Sequence, residues 1–139
     1  MTVFKPRYFA LWLTFSLLTF SVTNAYSQKQ YKIACVGFYN LENLFDTEDD
    51  PKIKDEEYTP DGSKNWDSTK YANKLENMSM VISKLGTEVT PDGMAVLGVS
   101  EIENRKVLED LVAHKNLNAR NYKIVHYDSP DHRGIDVGL

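Results

Sequence analysis

Two short apolar runs each end on a polar side chain suited to a metal ion or a phosphate, and this repetition most constrains the fold. Residues 32–39 lead into Asn40, and residues 94–100 lead into Glu101. Runs of this kind, rich in β-branched and aromatic residues, are typical of strands buried on both faces. If the two strands are neighbours, Asn40 and Glu101 lie at one edge of the sheet, where they escape the cost of desolvation. A carboxylate and an amide at such an edge provide half of a site for a hard cation.

Two helices are predicted around the second strand. The first covers residues 68–85, with Asp67 or Ser68 as its N-cap and Gly86 in the left-handed conformation after its end. The second covers residues 105–114, where apolar residues lie on one side. The apolar residues of the first helix recur at helical spacing in a single stripe, which consists of Tyr71, Leu75, Met78, Ile82 and Leu85.

The remaining segments complete an α/β pattern. Residues 46–65 are polar and contain Pro and Gly, which predicts a surface loop. Residues 122–127 predict a third strand, and residues 135–139 predict the start of a fourth. Strands that alternate with helices are typical of the α/β class. Cys35 lies in the first strand, and we expect it to be a buried thiol.

The first 27 residues have the pattern of a secretory signal peptide. Lys5 and Arg7 precede an apolar stretch over residues 8–20, and small residues then offer cleavage after Ala25 or Ser27. The alternative is a membrane anchor, but the stretch is shorter than the roughly 20 residues that span a bilayer. We therefore expect a signal peptide at 1–27, a domain at 28–139, no stable membrane anchor, and export to the periplasm or outside the cell.

Size and charge set further limits. A chain of 139 residues predicts at most one domain. Its formal net charge of -4 provides no strong positive field to attract nucleic acid. A duplex-binding protein would therefore depend on local Arg and Lys or on metal ions, whereas a small phosphoester needs no such field.

With their flanks, three segments resemble the opening half of the endonuclease/exonuclease/phosphatase superfamily. They follow the family's order and are residues 38–45 (FYNLENLF), 98–104 (GVSEIEN) and 133–139 (RGIDVGL). The resemblance covers residues 31–139. It implies part of a four-layer α/β/β/α sandwich, here about one sheet with its helices, because the family's domain is about twice as long. We therefore expect an amino-terminal fragment with one apolar sheet face uncovered; the alternative is that the last strand is the true end of the domain.

The resemblance implies a metal-dependent phosphoesterase of the nuclease or phosphatase type, with Mg²⁺ or Mn²⁺ as cofactor. Glu101 matches the family's metal-ligand Glu, and Asn40 matches the strand-end Asn that supports the metal and the phosphate. Arg133 and Asp136 match the family's substrate-side motif, and Arg is a natural bidentate partner of phosphate. An Arg–Asp pair that only orders the loop is an equal alternative.

Several roles stay open at this point. Glu42 and Asn43 either orient Asn40 or start the loop. Glu103 either approaches the same site or caps the next helix together with Asn104. His126, in a predicted strand, is expected to be structural.

The family's later Gly-Asp-x-Asn and Ser-Asp-His segments are not found in this sequence. Because each missing acid–base group costs roughly 10² to 10⁴ in rate, the chain as given is expected to be inactive or nearly so. A second hypothesis is therefore a non-catalytic exported protein that binds only a metal or a partner. The sequence distinguishes neither the phosphoester, with nucleic acid among the candidates, nor the oligomeric state.

The acidic loop offers a competing pattern. Asp46, Glu48, Asp50 and Glu57 occupy positions 1, 3, 5 and 12 of a calcium-loop spacing. Pro51 stands where that loop requires Gly, which argues against an EF-hand. A looser calcium-stabilised loop is one interpretation, and a solvated acidic surface is the default.

Overall fold

The computed structural model describes residues 30–139, and the predicted signal peptide lies outside the described residues. Two short 3-10 helices occur at Glu56–Tyr58 and Asn118–Arg120. In this part of the chain no helix is both long and apolar enough to cross a membrane. The predicted α/β class is confirmed by the element order, which is β1 (Cys35–Leu44), α1 (Ser68–Lys84), β2 (Met94–Ile102), α2 (Arg105–Ala113) and β3 (Asp136–Gly138).

The three strands form one mixed sheet with β2 in the centre. β1 runs parallel to β2, whereas β3 runs antiparallel to it. Parallel neighbours need a crossover, and α1 supplies it. The register places Asn40 opposite Ser100, directly before Glu101. The prediction that Asn40 and Glu101 meet is therefore confirmed, although β1 continues past Asn40 to Leu44 and β2 continues past Glu101 to Ile102.

Both helices begin and end within a residue of their predicted bounds. The residues that start and stop them act through contacts with their near neighbours in sequence. The Asp67 side chain accepts the Lys70 N–H at 2.9 Å at the start of α1, and Gly86 after its end has φ +73°. The Asn104 side chain accepts the Val107 N–H at 3.1 Å at the start of α2. Asn104 is therefore the cap of α2.

The core lies between the two helices and one face of the sheet. Fully burying each of its aliphatic side chains contributes about 1.5–3 kcal/mol. The stripe predicted for α1 faces this core, with Tyr71, Met78 and Leu85 partly buried at its margin. The buried members are Leu41, Leu44, Leu75, Ile82, Val99, Ile102, Val107, Leu108, Leu111 and Leu117.

The opposite face of the sheet is exposed, as expected for one uncovered apolar sheet face, whereas the prediction of strands buried on both faces is wrong. Val36 and Phe38 in β1 are 72% and 67% exposed, and Val137 in β3 is 64% exposed. Exposure alternates along β1 with the two-residue period of a strand because the helices cover only one face. Cys35, at the start of β1, is half-buried instead of buried.

The predicted strand at residues 122–127 is also wrong. This segment makes one isolated bridge, between His126 and Gly138, framed by two hydrogen bonds that Val125 and Leu139 exchange. β3 spans only three residues and therefore offers too few partners for a longer ladder. The sheet accordingly has three strands instead of four.

Candidate functional site

The end of the central strand is irregular, and the irregularity takes Glu101 out of the regular ladder. Register shifts occur between Ser100 and Ile102 on the β3 side, and after Asn40 on the β1 side. Glu101 has φ +58°, and Glu42 and Asn43 have φ +52° and +61°. Residues other than Gly rarely adopt this left-handed region. Strain of this kind costs roughly 1–3 kcal/mol per residue and concentrates at functional sites.

Asn40 joins the two strand ends through its side-chain amide. Its Nδ2 donates to Glu101 Oε1 at 2.9 Å, and its Oδ1 accepts the Glu42 N–H at 2.7 Å. The amide orientation is fixed because the oxygen must face that N–H. Asn40 therefore orients the Glu101 carboxylate, and the backbone of Glu42 orients Asn40. Direct coordination of a metal by Asn40 stays a prediction.

Lys74, on α1, reaches the same edge and was missed by the sequence analysis. Its Nζ donates to the Glu42 carbonyl at 2.5 Å and lies 5.8 Å from the centroid of the Trp66 ring. Burial lowers the pKa of Lys74, and the charges of Glu42 and Glu101 oppose that shift. Lys74 thus places a positive charge near Glu101 and holds the strained turn after Asn40. The helical pattern carries no signal that distinguishes this Lys from its neighbours.

Arg133 lies in the loop before β3 and is exposed. Its guanidinium binds Asp131 with two hydrogen bonds, Nε to Oδ1 at 3.1 Å and Nη2 to Oδ2 at 2.7 Å. The pKa of Arg133 is raised chiefly by Asp131, and Glu101 makes a smaller contribution. The same pair lowers the pKa of Asp131 to about 2. An Arg–Asp pair therefore exists here, but the partner is Asp131 and not Asp136.

Asp136 is only 4% exposed and lies behind this loop. Its Oδ2 is 2.9 Å from His126 Nε2, and its Oδ1 accepts the Ser129 N–H at 2.8 Å. In the sheet it pairs with Ile102, one residue beyond Glu101. This burial gives Asp136 a supporting position behind the Arg133 loop, instead of the exposed position that a direct substrate contact would need.

A second group of carboxyls, Asp46, Asp55 and Glu103, is buried near the loop that follows β1. They are 7%, 1% and 5% exposed. Glu103 Oε2 accepts the Asp46 N–H at 2.7 Å, so Glu103 contacts this loop, while Asn104 alone caps α2. Burial raises the pKa of Glu103 to about 7, and the charges of Asp46 and Asp55 add to the shift.

The donor set at the strand-end edge fits a hard divalent cation. Glu101 is half-buried and, within the described residues, uses only Oε1 in a hydrogen bond. Mg²⁺ binds proteins through one or two carboxylates and keeps several of its waters, so one available carboxylate oxygen is compatible with it. Asn40 supplies a hydrogen bond of the kind that orients metal-binding carboxylates in other proteins.

Among residues 30–139, one further cluster has metal-ligand chemistry. His126, Asp128 and Asp136 bring ligand atoms within 4.8 Å of one another. The buried His126 and Asp136 already bind each other, however, and the side chain of Asp128 is 93% exposed. This arrangement stabilises the Arg133 loop without requiring an ion.

The fold and the site define a mixed α/β protein whose central strand presents the Glu101 carboxylate at a strained sheet edge. A family model described as the Endonuclease/Exonuclease/phosphatase family matches residues 35–139. The chain therefore belongs to this family, and the resemblance carried by its three motifs is confirmed. Membership suggests a hydrolase of phosphoester bonds, of the nuclease or phosphatase type. No match was found among curated proteins or among solved structures.

Proposed function

We propose that this chain carries the metal-binding side of a phosphoesterase that cleaves a phosphodiester or phosphomonoester with Mg²⁺ or Mn²⁺. The observation that carries the proposal is the 2.9 Å contact between Asn40 and Glu101 at the strained edge. The bound ion would neutralise charge on the phosphate oxygens and lower the pKa of an attacking water.

The residues of the edge have distinct parts in this proposal. Glu101 binds the cation, and Asn40 orients the Glu101 carboxylate and supports the site. Lys74 holds the Glu42 carbonyl and thereby the turn that orients Asn40. Preorganised contacts of this kind lower the cost of ordering the site when substrate binds.

Arg133 is the proposed substrate contact. Its exposed guanidinium binds the Asp131 carboxylate in the two-bond geometry that also suits phosphate. A substrate phosphate would exchange with the Asp131 carboxylate, and Asp136 would keep the loop in place during the exchange. Because the net charge is -4, the substrate must be recruited by local contacts and by the ion.

Two further parts of the proposal rest on the sequence. The leader pattern at residues 1–27 supports export to the periplasm or outside the cell, with the family domain starting after it. The second candidate is a protein that binds a metal or a partner without turnover.

A phosphodiesterase assay separates the two candidates. Bis-p-nitrophenyl phosphate and plasmid DNA would be tested with Mg²⁺ or Mn²⁺, using the 139-residue chain beside any longer form that the gene encodes. Glu101→Ala should abolish any activity found, whereas Glu88→Ala, which removes an exposed loop carboxylate, should preserve it. Equal activity in both variants would contradict the assignment of Glu101. Metal binding without turnover in every form would support the second candidate.

A further inference from the structure

The first half of β2 has no strand partner on the side where β3 lies. Among residues 30–139, β3 pairs with β2 only at Val99, Ser100 and Ile102, so residues 94–98 are unpaired on that side. Across the opening lie residues 121–125, most of which belong to the segment that the sequence predicts as a strand. A cavity of about 740 Å³ is lined by both segments. This opening is called the sheet gap below.

The sheet gap continues the line of β3. The Val125 N–H donates to the Leu139 carbonyl at 2.7 Å, and the Leu139 N–H donates to the Val125 carbonyl at 2.9 Å. Leu139 therefore turns its main chain toward residue 125. Gly138, one position earlier, turns its main chain the other way, toward Val99 of β2. The segments that flank the gap are thus the next partners in two ladders that already exist, one on each side.

The same alternation identifies the main-chain groups of β2 that face the gap. Because main-chain directions alternate along a strand, Leu97 faces the same side as Val99. In the antiparallel register of β3, a chain in the gap would lie opposite residues 95–97. Tyr122 closes the far end, since its hydroxyl donates to the Met94 carbonyl at 2.8 Å. The register therefore leaves three strand positions in the gap.

The walls of the gap define which side chains fit. A Cβ added to Gly138 would lie 2.7 Å from Leu108 Cδ1, so Gly138 faces α2 and the core. Since side chains alternate between the two faces of a sheet, the first and third residues in the gap would also face the core. Fully burying an aliphatic side chain contributes about 1.5–3 kcal/mol. The helices and the segment after α2 line the cavity with apolar residues, which are Ile82, Leu108, Leu111, Val112 and Leu117.

We propose that the sheet gap binds an extended peptide segment of a partner protein, which runs antiparallel to β2 and continues the line of β3. Main-chain hydrogen bonds supply affinity in this mode of recognition, and alternate side chains supply specificity. The partner segment therefore has apolar residues at its first and third positions and no Pro, which lacks the N–H that a ladder needs. Its binding would give residues 122–125 the strand partner that the three-residue β3 does not provide.

Amide hydrogen exchange tests the pairing at a single atom. In the 139-residue chain alone, the Leu97 N–H should exchange faster than the Val99 N–H, which already faces a partner strand. The probe is acetyl-Val-Thr-Ile-amide, whose first and third residues are apolar. At ten times its Kd it should slow the exchange of the Leu97 N–H about tenfold. The control peptide has a methyl group on the Val nitrogen, which removes the donor to Leu97, and should bind about tenfold more weakly or worse.

Variants of the chain locate the peptide. Val112→Trp fills the cavity and should abolish the protection, whereas Val89→Trp, at a 53% exposed position outside the lining, should retain it. Ala119→Trp, which also projects from the lining, replaces Val112→Trp if circular dichroism shows that the latter is unfolded. Glu101→Ala should retain the protection, because Glu101 lies toward the opposite end of β2.

Three results overturn the proposal. The first is equal binding of the two peptides, since contact without strand pairing would not distinguish them. The second is absent protection of the Leu97 N–H at about 1 mM peptide. The third is protection of the Leu97 N–H without any peptide. If that protection rises with protein concentration, it assigns the gap to a second copy of this chain, and if it does not, the chain fills the gap by itself.

Discussion

Asn40 and Glu101 lie 61 positions apart in sequence, yet Asn40 Nδ2 donates to Glu101 Oε1 at 2.9 Å. The contact exists because parallel pairing of β1 and β2 brings the two strand ends level. Both ends then leave the regular ladder with left-handed residues, Glu42 and Asn43 on β1 and Glu101 on β2. Three of the five left-handed residues other than Gly in the described part of the chain thus lie where the candidate metal ligand is oriented, which is the pattern expected of a functional edge.

Replacement of Asn40 tests this orientation directly. Asn40→Ala should weaken Mn²⁺ binding by about 10- to 100-fold, because the Glu101 carboxylate loses the hydrogen bond that fixes it. Isothermal titration with Mn²⁺ measures the effect without requiring turnover. Asn73→Ala, at an exposed position of α1, serves as the control. Unchanged affinity in Asn40→Ala would show that Glu101 needs no such partner.

Lys74 should stabilise the turn that carries Glu42. Lys74→Met keeps most of the aliphatic chain and removes the charged hydrogen bond to the Glu42 carbonyl, so we expect the free energy of unfolding to fall by roughly 1.5–3 kcal/mol. Urea denaturation measures the change, with Lys123→Met at an exposed position as the control. A fall of the same size in both variants would assign the effect to the loss of surface charge.

The buried pair of His126 and Asp136 should hold the Arg133 loop. Asp136→Ala leaves His126 and the Ser129 N–H without their acceptor, and removing one partner of a buried pair costs about 3–5 kcal/mol. Cleavage by trypsin after Arg133 should accelerate accordingly, whereas Asp128→Ala at the exposed neighbour should leave the rate unchanged. Equal cleavage rates in the unaltered chain and in Asp136→Ala would show that Asp136 does not hold the Arg133 loop.

The pH dependence of stability should report Glu103. Its folded pKa of about 7 lies above the ordinary value of 4.5 for this carboxyl, so the folded state holds its proton more tightly. The stabilisation that this tighter proton binding gives to the folded state is therefore fully present below about pH 4.5, and it is lost as the pH rises through about 7. The loss amounts to roughly 1–3 kcal/mol.

Urea denaturation in the presence of EDTA, from pH 4.5 to 8, measures this effect. The quantity to compare is the free energy of unfolding of the unaltered chain and of Glu103→Gln. The unaltered chain should lose stability relative to the variant as the pH rises. A difference that stays constant over this range would mean that Glu103 titrates normally.

Local signals were sufficient for much of the fold. Asp67 and Gly86 mark the ends of α1 by short-range hydrogen bonding and by backbone freedom, so their roles were predictable. Residues 122–127 failed as a strand because a ladder depends on how many residues the partner offers, and β3 offers three. The apolar run of β1 does not reveal which of its faces the helices cover, so burial on both faces was wrongly predicted, although the family's domain length had indicated one uncovered sheet face.

The sequence by itself determined the α/β class, both helices, the family and the meeting of Asn40 with Glu101, because each depends on local pattern plus one parallel pairing. The tertiary structure alone decided which polar side chains become buried together. Lys74 at Glu42, His126 at Asp136, and Glu103 at Asp46 come from separate segments, and no spacing along the chain encodes those contacts. Burial and charge act through space, so these partners are known only once the chain has folded.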